Sequence, residues 1–400
     1  MAQIRPYTID IPQAKLDRLK RNLCDYQWPT ELQDDPAWDY GTPEKDIKRF
    51  YQHWKDKFDW RDHEKKLNEL PHFETTVDID GHGGVDVHFL HFKNDAPNAI
   101  PLLFVHGWPG SVLECVKLAP LLKGGDGKPA FEVVAPSLPN YTFSGPALKR
   151  GFGIPKYAEA CHKVMLALGF DQYVVQGGDW GFLICRTLSA KYPQHVKGIH
   201  TNWAWASEPK WTDENPKPAS YSERELNQMK QGERWNPFGT GEGRGYIAIQ
   251  STRPATINYM ISDSPVGLLA WIWDKLVDWS DRYPWTEDEV CLWVSLYVFS
   301  RAGPDAASYI YYEATHDLET LQLVQSYIDC PLGLADFPVE LCNNPKSWRH
   351  TMGPIVYQEE FDRGGHFSGY ERPDAVAKGL SEMFGKDGKA HGVVSGRSGY

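Results

Sequence analysis

The most constraining stretch of the chain is Gln176-Gly177-Gly178-Asp179-Trp180-Gly181. Tyr173-Val174-Val175 precedes it and Phe182-Leu183-Ile184-Cys185-Arg186 follows it, so a short buried strand has to turn sharply into a buried helix. Glycines suit such a turn because two backbones can approach with no Cβ between them. The pattern has the shape of a nucleophile elbow with a carboxylate where serine commonly stands. A glycine-rich loop capped by aspartate fits the same six residues, and the rest of the chain has to separate the two readings.

Around this turn the chain alternates. Short apolar runs bounded by turn residues recur at 85–90, 101–105, 131–135 and 173–175, and helix-like stretches separate several of them. Such alternation points to an α/β class, with a mostly parallel sheet and helices on both faces. Residues 1–80 read as a polar, helical N-terminal segment, with helical spacing over 12–23 and a second helix opening at Thr42-Pro43-Glu44 and running to Trp54 or beyond. The first part of the core covers 81–207. Residues 208–242 are rich in Lys, Glu, Asn, Pro and Gly, and a helical, aromatic-rich block with Trp271, Trp273 and Trp279 follows. We read 208–322 as a helical lid over the sheet. The core resumes over 323–390, with apolar runs near Pro331 and at Ile355-Val356-Tyr357 and a last helix over 373–384. The Gly-rich stretch from 385 reads as loose, with 391–400 as a tail.

The 400 residues are 41% hydrophobic and 24% charged, enough for a large core in one domain with insertions or in two. A formal net charge of -11 and the lack of a long Lys/Arg cluster argue against a polyanion partner, so no nucleic acid is expected. Met1-Ala2-Gln3-Ile4-Arg5-Pro6-Tyr7 lacks the apolar run of a signal peptide or anchor, and no later run approaches the roughly 18 residues of a membrane span. The expectation is a soluble, cytoplasmic protein with no membrane anchor. Seven scattered cysteines, Cys24, Cys115, Cys161, Cys185, Cys291, Cys330 and Cys342, suit a reducing compartment, and no CxxC or His/Cys cluster calls for a metal. No cofactor is expected either.

The carboxylate at the turn changes the chemistry that an elbow can perform. A serine attacks carbonyl carbons. An aspartate that displaces at a saturated carbon gives an alkyl ester, which water can then open. Strained or activated alkyl electrophiles such as epoxides or alkyl halides become the expected substrates. His106-Gly107-Trp108-Pro109-Gly110 follows the strand-like run 102–105, where a loop can supply one backbone N–H of an oxyanion hole while the residue after the nucleophile supplies the other. Those residues would be Trp108 and Trp180, and His106 itself reads as a structural histidine that pins the loop. His366, in Arg363-Gly364-Gly365-His366-Phe367, stands near the C-terminus, where the order nucleophile, acid, histidine puts the base. Asp336 and Glu340 both lie after a late strand as candidates for the orienting acid, and pattern does not separate them.

Taken together these segments resemble the microsomal-type epoxide hydrolases, in particular soluble fungal members of that family. Further stretches carry the resemblance: Trp38-Asp39-Tyr40-Gly41-Thr42-Pro43, Phe58-Asp59-Trp60-Arg61, Gln250-Ser251-Thr252-Arg253-Pro254 and Asp263-Ser264-Pro265-Val266-Gly267-Leu268. It implies an α/β-hydrolase core with a helical lid and an N-terminal segment wrapped over both, compatible with a homodimer. It implies that Asp179 is the nucleophile, His366 the base and Glu340 the acid, with Asp336 as the fallback. Two lid tyrosines over the nucleophile match Tyr246 and Tyr311, with Tyr312 one register away. The implied partner is a small-molecule epoxide, converted to a vicinal diol in a detoxifying or biosynthetic role. A haloalkane dehalogenase, a biosynthetic epoxide-opening enzyme and a non-catalytic receptor on the same fold stand as alternatives.

Overall fold

The apolar runs lie side by side in one sheet. A computed structural model of the chain describes residues 3–30, 32, 38–213, 216–236 and 239–400. Residues 1, 2, 31 and 33–37 of the N-terminal segment and 214, 215, 237 and 238 of the expected lid lie outside the described residues. The strands are β1 (Ile4–Pro6), β2 (His72–Ile79), β3 (Gly83–Phe92), β4 (Ile100–Val105), β5 (Phe131–Pro136), β6 (Tyr173–Gly177), β7 (Val196–Thr201), β8 (Leu332–Asp336) and β9 (Ile355–Glu360). They are ordered β1-β2-β3-β5-β4-β6-β7-β8-β9. From β5 to β9 neighbours run parallel, and β1, β2 and β3 add an antiparallel flank. β4 and β6 are buried along their whole length, which is why β4 reads as an apolar run throughout and β6 as one up to Val175.

The strand order matters for function because β4 sits between β5 and β6. The chain leaves β4 toward one side and returns on the other, so the loops after β4 and β6 part at a crevice beyond the strand ends. The His106 loop and the Asp179 turn are those two loops.

Three details depart from the sequence expectation. The N-terminal segment is not purely helical, since it carries β1 and β2, and β1 pairs at Ile4↔Thr75. β7 has the mixed sequence VKGIHT, in which Lys197 and His200 interrupt the apolar pattern, and it was not among the expected strands. The C-terminal stretch is docked rather than loose: Ala390 and Val394 are buried, Gly399 N–H donates to Asn98 O at 2.7 Å, and Gly399 O accepts from Ala130 N–H at 2.8 Å. Backbone pairing of this kind needs no apolar side chains, so composition did not reveal it.

Between β7 and β8 the chain leaves the sheet and builds the helices Glu223–Trp235, Gly245–Thr252, Pro254–Asp263, Pro265–Asp278, Glu287–Val298, Tyr309–Thr315 and Leu318–Gln325. Capping boxes at Ser222/Glu225 and Thr286/Glu289 start two of them. The N-terminal segment clasps this insertion. Asn22 Nδ2 donates to Asp263 O at 2.9 Å, Trp273 Nε1 donates to Asp46 Oδ2 at 3.2 Å, and the Phe50 and Trp273 rings meet edge-on at 4.5 Å. No helix among the described residues is long and apolar enough to cross a membrane.

A buried polar hub ties the insertion to the end of β8. Asp336 accepts from Arg349 Nη2 at 2.5 Å, Gln228 Nε2 at 2.6 Å and Asn343 Nδ2 at 3.1 Å, and Arg224 Nη2 lies 3.2 Å away. The Arg349 and Asp336 side chains are 0% and 2% exposed, so each depends on the other for its charge. Replacing Asp336 by Ala strands the Arg349 guanidinium in the interior and should lower unfolding stability by about 3–5 kcal/mol. A urea-unfolding midpoint indistinguishable from the parent's would show that the hub contributes nothing.

Candidate active site

Asp179 stands where β6 turns into the helix Asp179–Lys191, with φ at 51°. This left-handed backbone is rare for a residue with a side chain and stores strain. The surrounding glycines make it possible. A Cβ on Gly181 would lie 2.0 Å from the Val105 carbonyl oxygen, and one on Gly107 would lie 2.2 Å from Asp179 Oδ1. The residue before the helix is Gly178, with no side-chain cap, so the capped-loop alternative does not hold. The free N–H groups and dipole of the helix N-terminus favour a carboxylate there.

The loop after β4 meets this carboxylate. Trp108 N–H donates to Asp179 Oδ1 at 2.8 Å. Trp293 Nε1 donates to Pro109 O at 2.6 Å and Tyr297 OH to Gly110 O at 2.7 Å, so the helix Glu287–Val298 holds the loop in place. His106 is the structural residue expected: Nε2 accepts from Leu138 N–H at 3.1 Å, which leaves Nδ1–H for Gly107 O at 2.9 Å. Burial pushes its pKa down to about 4. Trp180 sits in the first turn of the helix, where backbone N–H groups lack intrahelical partners.

The structure brings His366 and Glu340 to the same point. His366 Nδ1 lies 2.6 Å from Glu340 Oε1, and Nε2 lies 3.5 Å from Asp179 Oδ2. Glu340 is fully buried, and its oxygens also accept from Leu341 N–H at 2.7 Å and Asn202 Nδ2 at 2.5 Å. A parallel bridge between Val339 and Gly365 holds the two loops together. The fallback Asp336 is spent on the arginine hub and does not reach His366. Burial pushes the His366 pKa down, but the Glu340 and Asp179 carboxylates outweigh it and raise the value to about 10. The resting side chain is therefore an imidazolium between two carboxylates.

Tyr246 and Tyr311 come from separate helices of the insertion, Gly245–Thr252 and Tyr309–Thr315. They line, with Asp179 and Trp180, one cavity of about 520 Å³ whose walls include Trp203 and Trp235. Their rings are 5.8 Å apart, and the Trp108 ring lies 5.5 Å from Tyr246 and 5.7 Å from Tyr311. Burial and the nearby Asp179 charge hold both phenol pKa values well above 10, so both stay protonated. Tyr312 is only half-buried and stacks on His316 at 4.0 Å, while Tyr311 lines the cavity. A smaller cavity of about 10 Å³, room for about one water, is bounded by Asp179, His366, Gln176 and Glu114.

Sequence reasoning missed Asn202 and Glu114. Asn202 follows β7, the strand whose polar pattern hid it. Glu114 turns its carboxyl inward against Gly110, and burial pushes its pKa up to about 8. Position in the fold, rather than any local motif, marks both.

The comparisons with known proteins agree with this geometry. Residues 4–115 match the family described as epoxide hydrolase N terminus, and residues 100–285 match the α/β hydrolase fold. Epoxide hydrolase 1 of Sus scrofa is 31% identical, over 96% of this chain and 88% of that protein. This chain belongs to the epoxide hydrolase family. The structure of Aspergillus niger epoxide hydrolase matches with a TM-score of 0.81 at 32% identity, covering 94% of this chain and 95% of that one. Juvenile hormone epoxide hydrolase from the silkworm Bombyx mori matches at 0.84 and 28% identity, over 95% and 93%. The family resemblance read from the sequence thus holds, and this epoxide hydrolase is an enzyme rather than a receptor.

The charges at the site set a pH dependence of stability. The His366 pKa rises on folding from an ordinary 6.5 to about 10, so the native state binds the proton more tightly. Its stabilisation is complete below pH 6.5 and is lost as pH climbs toward 10. Glu114, raised from 4.5 to about 8, adds to the same decline between those values. Urea unfolding of this epoxide hydrolase should show stability falling from pH 6.5 to 10, with His366→Gln flattening the part between 8 and 10. An identical slope in the variant would exclude His366 as its source.

Proposed function

We propose that this epoxide hydrolase adds water in two steps through an ester on Asp179, under a helical lid formed by residues 208–322. One Asp179 oxygen attacks an epoxide carbon, the carbon–oxygen bond breaks, and the epoxide oxygen takes a phenolic proton from Tyr246 or Tyr311. The reading is supported by one observation above all. A strained carboxylate, bonded to Trp108 N–H and 3.5 Å from His366 Nε2, faces the same cavity as two protonated phenols. Phenols suit an epoxide, whose oxygen leaves as an alkoxide and needs a proton. A halide leaves without one, which disfavours the dehalogenase alternative.

Ester formation removes the Asp179 charge, one of the two that hold the proton on His366. The imidazolium then releases its proton, which restores the phenol. Neutral His366, held by Glu340, takes a proton from water, and the hydroxyl attacks the ester carbonyl while the Trp108 and Trp180 N–H groups bind the oxyanion. The ester collapses to Asp179 carboxylate and diol, with the imidazolium re-formed. The cycle closes with one water added and no other net change.

Single turnover in ¹⁸O-labelled water should place label in the Asp179 carboxylate, and label found in the diol alone would rule out the ester. Asp179→Asn should bind epoxide and lose turnover, by roughly a thousandfold or more. Turnover close to that of the parent would refute the assignment.

A further inference from the structure

The two-step scheme leaves a buried lysine without a task. Lys275, in the helix Pro265–Asp278, is 6% exposed. Its ammonium lies 4.6 Å from the ring centroid of Tyr246. The indoles of Trp235, Trp271 and Trp279 surround it, each 5.9 Å from the nitrogen. Trp271 and Trp279 stand four residues to either side of Lys275, so the helix and its C-terminal cap residue Trp279 build two walls of this box. Asp274, 30% exposed, pairs with the ammonium from the outer side.

Packing alone does not call for a lysine here. A methionine would fill the same aromatic box without taking a charge out of water, a cost that the lysine must offset through Asp274 and the ring faces. A cation against a phenol ring acts on the phenol's chemistry: it stabilises the phenolate and so favours proton release to an acceptor. No such contact joins Lys275 to Tyr311 among the described residues, so the two phenols differ in their surroundings.

We propose that Lys275 is a positioning residue for ring opening, its ammonium stabilising the phenolate that Tyr246 becomes on giving its proton to the epoxide oxygen. This rests on the reading of Tyr246 and Tyr311 as the phenols that face the epoxide, and it divides their labour. Tyr246 transfers the proton, while Tyr311 donates a hydrogen bond and keeps its own. The atoms balance as in the scheme above. The carbon–oxygen bond electrons go to the epoxide oxygen, that oxygen takes the Tyr246 proton, and the proton later released by His366 restores the phenol. Lys275 takes part in no proton transfer and acts through its charge and its hold on the ring.

The test separates the two steps, with styrene oxide as the probe. In Lys275→Met, single-turnover ester formation should slow about thirtyfold, the scale of a desolvated cation–ring contact. Ester hydrolysis should keep its parental rate, so that where hydrolysis limits turnover KM rises and kcat holds. Lys275→Arg keeps a cation over the ring and should restore most of the rate. Lys275→Gln replaces the methionine variant should that one not fold. In a Tyr246→Phe background, Lys275→Met should slow ester formation no further. Parental ester formation in Lys275→Met, equal slowing of both steps, or an undiminished effect in the Tyr246→Phe background would each overturn the proposal while leaving Tyr246 a phenol of the site. Parental ester formation in Tyr246→Phe itself would instead remove the Tyr246 assignment, and the Lys275 proposal with it.

Discussion

A Cβ at Gly181 would lie 2.0 Å from the carbonyl oxygen of Val105, so the helix after β6 can begin where it does only because that residue has no side chain. From this approach the rest follows. With the helix drawn onto the end of β4, Asp179 is forced into left-handed backbone and its carboxylate rises between the loop after β4 and the helix's own free N–H groups. Trp108 N–H can then reach it, and Gly107 can pass beside it without collision. Strain at one residue is tolerated because two strands, a helix and a pinned loop all meet there.

Charge is stacked in layers behind that carboxylate. Glu340 is fully buried, yet each of its oxygens accepts from an amide, and His366 stands against it. The imidazolium in turn lies between Glu340 and Asp179. Alternation of sign is what makes three ionised groups tolerable in an interior. It also couples them: changing the charge of one alters the proton affinity of the next, and in the cycle proposed above this coupling would let a single imidazole serve first as a resting counter-ion and then as a base.

How much of this could be read beforehand differs by residue. Asp179 and His366 were legible because a glycine-flanked turn and chain order are local or one-dimensional signals. Glu340 and Asp336 looked alike, four residues apart in one loop, and only the third dimension separates them, one against an imidazole and the other against a guanidinium. The lid tyrosines came from family resemblance, since nothing local distinguishes Tyr246 from a packing tyrosine. The central strands announced themselves by their short apolar runs. β7 did not, because Lys197 and His200 lie within it, and with it went Asn202, the amide that completes the acid's hydrogen bonds. Lys275 gives no signal in a sequence at all, because a lysine between tryptophans on a helix reads as an exposed charge until the rings are seen to close over it.

The clasp of the N-terminal segment on the insertion bears on how the molecule is made. Asn22 and the Asp263 carbonyl that it meets are separated by 241 positions. A chain synthesised from its first residue exposes the helix Gln13–Cys24 long before its partner exists. Its nearer partner is the helix Glu44–Asp56, from which Tyr51 OH donates to Leu23 O at 2.7 Å, but the face it turns to the insertion has no partner until the insertion forms. Closing so long a loop is slow, so the contacts across it form after the local ones. The weakly apolar, heavily charged make-up of that helix, QAKLDRLKRNLC, is what keeps the waiting segment in water.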